Sequence, residues 1–187
     1  LKHRNINFLP LKSRIENLKE SLDNIDRFKP DIFFHFGALK KIEQNKKSSE
    51  ILFKSNVVLT NNLSNYCKNF NCKFVYISTA DLYKRFGPPF PENASLSQNQ
   101  QTITGGIYAW TKYLGEKEIV KTNNNAIIFR CSTIYNNKQP NAYSCARFFD
   151  SREDTKNFKF KKNQYQMNFV RADFLAKSIF NICMKKE

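Results

Sequence analysis

The chain has 187 residues, enough for one domain with a genuine core and part of a second, and its 41% hydrophobic content excludes a disordered polymer. Its formal net charge of +15 is spread over Lys pairs at 40–41, 46–47, 161–162 and 185–186 with acids between them. Scattered charge of this kind is not the basic stripe of a nucleic-acid surface, and attraction to a small anion such as a nucleotide is equally compatible. No apolar run approaches the roughly 20 residues of a membrane span, and LKHRNINFLP at the N-terminus lacks the pattern of a secretory signal.

Five cysteines (Cys67, Cys72, Cys131, Cys145 and Cys183) and two histidines (His3 and His35) form no Cys-x-x-Cys pair or zinc-type spacing. Reduced thiols, a cytoplasmic location and no resident metal are the expectation.

In chain order, NINFLPL (5–11) reads as a weak strand, since Pro10 limits its ladder bonds. IENLKESLDNIDRF (15–28) places apolar residues three and four apart and predicts a helix. DIFFHFGA (31–38) is a short, nearly continuous apolar run, the pattern of a strand buried on both faces of a parallel sheet. A helix follows over 48–70, with a Ser at its start and Glu50 in the first turn. KFVYISTA (73–80) is a second buried strand.

Residues 84–106, with three prolines and three glycines, read as a long loop, a length that is usually functional. IYAWTKYLGEKEIVK (107–121) is the next helix and NAIIFRCS (125–132) the next strand. The pattern then weakens until ADFLAKSIFNICMK (172–185), a last helix. Alternation of strands and helices predicts an α/β fold with a doubly wound parallel sheet, Rossmann-like. The expected division is a dinucleotide-binding domain at 1–135, a partial substrate-binding region at 136–171, and a helix at 172–187 packing back on the core.

Ligands of open α/β sheets bind beyond the carboxyl ends of the strands. There the pattern brings together Gly37 and Ala38, Ser78 and Thr79, and the start of the 107–121 helix. Tyr108 and Lys112 sit one turn apart on that helix, where an ammonium favours the phenolate of a nearby Tyr. Thr79 can hold a substrate carbonyl beside it, and such a set shuttles a proton while a nicotinamide moves a hydride. The Tyr-x-x-x-Lys spacing alone decides little, because Tyr113 and Lys117 repeat it. His35 and Trp110 read as core residues, and Asp81 either reaches the substrate or caps the loop.

KPDIFFHFGA, FKSNVVLTNNLSNYC, FVYISTADLY, IYAWTKYLGEK, AIIFRCSTIY and MNFVRADFLAKSI, in this order, resemble the extended short-chain dehydrogenases/reductases that act on nucleotide sugars. The dTDP-4-dehydrorhamnose reductase-like branch is the most similar, with epimerases and dehydratases near it. The resemblance implies an NAD(P)-dependent enzyme in which Thr79 orients the substrate oxygen, Tyr108 is the general acid/base, and Lys112 binds ribose hydroxyls and tunes the Tyr. It implies dinucleotide contacts from Phe36, Gly37, Ala38, Asn56, Ser78 and Cys131, and substrate contacts from Asp81, Ser132 and Thr133. Relatives often pair through the helices that correspond to 48–70 and 107–121, which leaves the oligomeric state open with a homodimer through them as a candidate; a nucleotide sugar as substrate and no membrane are expected.

Two features depart from the family pattern. No Gly-rich turn precedes the first helix, so the fold is expected to be N-terminally incomplete, lacking its first βα unit. The stretch Lys12-Ser13-Arg14 is basic where an acid usually selects NAD, which makes Ser13 and Arg14 candidate contacts to the 2′-phosphate of NADP. A non-catalytic relative that binds a dinucleotide or a partner as a regulatory subunit remains the alternative.

Overall fold

The computed structural model describes residues 6–11, 18–40, 46–83, 106–136 and 169–184. Helix α1 (Leu18–Phe28) carries Glu20 in its first turn and Arg27 in its last, each complementing the helix dipole. It stops where Lys29 turns left-handed at φ 49° with Pro30 behind it, and Lys29 N–H closes on the Ile25 carbonyl at 2.8 Å. Strand β1 (Ile32–His35) follows.

A continuous helical segment then runs through α2 (Lys46–Phe53), a π-helical turn (Lys54–Val58) and α3 (Leu59–Asn69). Strand β2 (Lys73–Thr79) leads into a 3-10 turn (Ala80–Leu82). Helix α4 (Gly106–Thr122) precedes β3 (Ile127–Cys131) and β4 (Thr133–Tyr135), and β5 (Phe169–Arg171) runs directly into α5 (Ala172–Cys183).

Strands β1, β2 and β3 form a parallel sheet in that order, with Phe34 opposite Val75 and Val75 opposite Ile127. Side chains alternate across it. Phe74 and Tyr76 pack with Leu63, Cys67 and Ile119 of α3 and α4 on one face, while Val75 and Ile77 pack with Ile179 and Cys183 of α5 on the other. Helices on both faces leave no polar side to β2, which explains why its sequence is apolar without alternation. Strands β4 and β5 make a second, two-stranded parallel sheet that pairs Ile134 with Val170.

The doubly wound α/β expectation therefore holds, with two corrections. Residues 6–11 form no strand, and Ile6, Phe8 and Leu9 are exposed; the Pro10 that weakened the pattern lies within this stretch. The single helix expected over 48–70 begins at Lys46 and contains an inserted π turn. Of the expected loop at 84–106 all but Gly106, which opens α4, and of the substrate-binding region at 136–171 all but 136 and 169–171, lie outside the described residues.

Candidate functional site

The carboxyl ends of β1, β2 and β3 and the first turns of α4 converge at one edge of the sheet. Beyond β1 the chain passes through Phe36, Gly37 and Ala38, all exposed, to Leu39. The π turn holds this passage. Its extra residue turns Asn56 out of helical register, and the buried amide grips Leu39 by both backbone groups: Leu39 N–H donates to Oδ1 and Nδ2 donates to the carbonyl, each at 2.9 Å.

Nδ2 of Asn56 also donates to Thr111 Oγ1 at 2.9 Å, and that hydroxyl donates to the Tyr108 carbonyl at 2.8 Å. One amide thus ties the loop after β1 to the opening turn of α4. Asn56, expected as a dinucleotide contact, has both its amide groups hydrogen-bonded within the protein.

Beneath it, Thr60 donates its hydroxyl proton to the Asn56 carbonyl at 2.8 Å and lies 3.0 Å from His35 Nε2. With the Thr60 proton committed, Nε2 must carry the hydrogen of this contact, which fixes the His35 tautomer. Burial, assisted by the charge of Lys112, pushes His35 down to about 3, so the ring is neutral.

Lys112 is the electrostatic centre of the site. The residue is 1% exposed, and its Nζ sits 3.8 Å from the centroid of the Tyr76 ring, a cation–π seat on the floor of the sheet. Burial lowers its pKa to about 7, against the opposing pull of Glu116 and Cys131. Tyr108, one turn earlier and half-buried, has Lys40 Nζ 5.8 Å from its ring centroid. Burial raises the Tyr76 phenol, and the charge of Glu116 adds to it.

At the end of β2, Thr79 Oγ1 accepts from Asp81 N–H at 3.2 Å and so caps the 3-10 turn, which leaves its own proton to donate. The Asp81 side chain is exposed. Ser78 Oγ is buried and has no partner among the described residues. Thr79 is in register with Cys131, whose thiol burial pushes up while Lys112 pulls it down. Ser132 and Thr133 follow, half-buried, and Thr133 enters the second sheet opposite Phe169. Ser13 and Arg14 lie outside the described residues.

The competing pair points elsewhere: Tyr113 packs with Trp110 against Leu82 and Ala109, and Lys117 is exposed beside it. The structure adds residues that spacing did not single out. Glu116, 3% exposed, takes a bidentate ion pair from Arg130, with Nη2 to Oε2 at 2.8 Å and Nε to Oε1 at 3.1 Å, and Arg130 Nη1 reaches Tyr83 Oη at 3.1 Å. Gly115 is required by contact, since a Cβ there would stand 2.8 Å from Tyr76 Oη and 3.0 Å from the Asn56 carbonyl. The trailing Gly-Glu of the α4 sequence was the available signal for both.

Residues 1–187 match the family described as RmlD substrate binding domain. Methionine adenosyltransferase 2 subunit beta of Xenopus tropicalis is 20% identical over 161 residues, covering 86% of this chain and 46% of the relative. The Xenopus laevis protein of the same name is 23% identical over 111 residues, 59% of this chain and 31% of its own. Among solved structures, dTDP-4-dehydrorhamnose reductase from Bacillus anthracis in complex with NADP has a TM-score of 0.54 at 24% identity, covering 64% of this chain and 41% of that one. The Bordetella bronchiseptica enzyme WbmG in complex with NAD has a TM-score of 0.69 at 15% identity, covering 94% and 53%.

The chain spans less than half the length of the sequence relatives and about half that of the structural ones. Among the described residues no helix is long and apolar enough to cross a membrane. The match over the whole sequence identifies the chain as a member of the RmlD substrate-binding domain family.

Proposed function

We propose that this chain carries the catalytic edge of an NAD(P)-dependent enzyme that remodels a nucleotide-linked sugar, with reduction of a 4-keto group as the reaction it fits best. The observation that carries the reading is Lys112, whose buried ammonium rests on the Tyr76 ring one turn from Tyr108 and faces the strand ends that bear Thr79 and Cys131. A buried cation at the carboxyl edge of a parallel sheet suits the hydroxyl-rich ribose of a dinucleotide, and the Ser78 hydroxyl, without a partner among the described residues, suits a polar group of the same ligand.

Bound there, the dinucleotide supplies or accepts the hydride. The chain supplies the rest. Thr79 donates its free proton to the sugar oxygen, Tyr108 gives that oxygen its proton, and Lys112 stabilises the phenolate left behind. Asn56 keeps the β1 loop and the Tyr108 turn in fixed relation. The basic stretch at 12–14 supports NADP, as does the complex of the Bacillus anthracis reductase with NADP, whereas WbmG is in complex with NAD. Exposed Phe53 and Val58 on the 46–69 helical segment and Val120 on α4 support a homodimer through these helices.

Titration with NADPH and NADH by fluorescence, paired with turnover of a 4-keto nucleotide sugar, tests this. Tyr108→Phe should leave dinucleotide affinity intact and lower turnover at least 100-fold. A second reading has one specific support: both sequence relatives are named as a subunit of methionine adenosyltransferase. On that reading the fold binds a dinucleotide or a partner protein without chemistry, and dinucleotide binding without turnover, in a protein that co-purifies with a partner, would establish it over the enzyme.

A further inference from the structure

The opposite end of the sheet holds a second chemical feature, independent of the site above. Helix α3 ends in a Schellman motif. Cys72 N–H reaches back to the Cys67 carbonyl at 2.8 Å and Asn71 N–H to the Lys68 carbonyl at 3.3 Å, with Asn71 left-handed at φ 53°. This motif brings the side chain three residues before the cap against the side chain two residues beyond it. In most helices that contact is aliphatic. Here both members are cysteines, joined in the same apolar cluster with Phe74 and Ile119.

Both thiols are free and act on each other, and Cys72 Sγ lies 3.8 Å from the Lys73 carbonyl as an S–H donor. The pair is asymmetric. Cys67 S–H and the Phe33 backbone hold Cys72 towards the thiolate against its burial and Asp31, while the same contact and burial raise Cys67. Although both residues are buried, they line a cleft of about 200 Å³ together with Lys68, Asn71 and the 123–125 turn. A small oxidant would reach the sulfurs through that cleft, which Lys68 also lines.

We propose that Cys67 and Cys72 are a redox-modification site at which a hydroperoxide closes a disulfide across the end of α3. The Cys72 thiolate attacks the distal peroxide oxygen, breaking the O–O bond and releasing hydroxide or alkoxide, which takes up a proton; Cys72 becomes the sulfenic acid. The Cys67 sulfur then attacks Cys72 Sγ and gives up its proton, the S–O bond breaks, and water leaves. Two thiols are oxidised by two electrons and one hydroperoxide is reduced to water and an alcohol, or to two waters from hydrogen peroxide. The product staples α3 to the start of β2, far from the Tyr108 edge, and a thiol reductant reverses it.

Trypsin separates the two cysteines, because Lys68 and Lys73 place them in peptides 55–68 and 69–73. Folded protein is treated with hydrogen peroxide at equimolar amounts, residual thiols are alkylated, and the digest is read by mass spectrometry. The expected result is peptide 55–68 linked to 69–73 at two mass units below the reduced pair. Cys67→Ser should leave Cys72 as a sulfenic acid captured by dimedone, and Cys72→Ser should consume peroxide at least 10-fold more slowly. Recovery of both cysteines fully alkylated from oxidised wild-type protein, or a link that forms only in denaturant, would overturn the proposal. Equal peroxide consumption by the two variants would overturn the assignment of Cys72 as the attacking sulfur.

Discussion

The ammonium of Lys112 is seated 3.8 Å above the ring of Tyr76, inside the protein, with Glu116 one turn further along the same helix. An aromatic face offers a cation some of what water offered, but burial still dominates and brings Lys112 down to about 7.

Stability should therefore rise with pH above neutrality. Below about 7 the lysine is protonated both folded and unfolded, and it contributes no slope. Between about 7 and its ordinary 10.5 the unfolded chain holds the proton and the folded chain does not, so raising the pH favours folding. The gain across this window is on the order of a few kcal/mol. Denaturant melts at pH 7 and pH 9.5 check it: the wild type should gain stability between the two, and Lys112→Met should lose most of that gain.

His35 sets a second, acidic window. Its folded value of about 3 lies below the ordinary 6.5, so from pH 6.5 downwards the unfolded chain takes up a proton that the folded chain refuses. The stability associated with a neutral His35 is complete above 6.5 and is lost as the pH falls towards 3. His35→Gln keeps a donor for Thr60 and removes the titration. Melts from pH 7 to pH 4 should show a shallower acid loss in the variant, and equal slopes would remove His35 as the cause.

These two residues also mark the boundary of what the sequence reveals. The three buried strands and the helices at 18–28, 106–122 and 172–183 were legible because their apolar periods are set by local geometry, and Tyr108 and Lys112 were legible because one helical turn places them together. The π turn was not. Asn56 sits in an ordinary apolar period, and only its tertiary contacts with Leu39 and Thr111 show why the helix takes an extra residue there. Tyr76 reads simply as a buried aromatic, since its role depends on which residue of α4 crosses over it. The Schellman contact of Cys67 with Cys72 was likewise hidden, because no Gly marks the left-handed Asn71.

Gly115→Ala separates contact from helix propensity. On propensity alone the change stabilises a helix by about 1 kcal/mol. Here the new methyl would meet Tyr76 Oη at 2.8 Å and the Asn56 carbonyl at 3.0 Å, and the second of these is backbone held in the π turn. A loss of about 1–3 kcal/mol is expected, the usual penalty of overpacking. Tyr76 Oη has no hydrogen-bond partner among the described residues, so Tyr76→Phe by itself should cost little. In the double variant it should return part of the Gly115→Ala loss, a coupling measured by a double-mutant cycle of unfolding free energies.

The ion pair of Glu116 and Arg130 gives the last test, because its two ends lie in different surroundings. The Glu116 side chain is 4% exposed and that of Arg130 is 29% exposed, so removing the arginine strands a carboxylate in the interior while removing the acid leaves a cation that can reach water. Arg130→Met should cost about 2–4 kcal/mol and Glu116→Gln distinctly less, with the pair variant Arg130→Met/Glu116→Leu falling nearer the wild type than Arg130→Met. Loss of the Glu116 charge also removes a force that raises Lys112, so Glu116→Gln should extend the rise of stability with pH to below 7. Equal costs for the two single variants, with no change in the pH window, would mean that the pair only ties α4 to β3 and has no hold on Lys112.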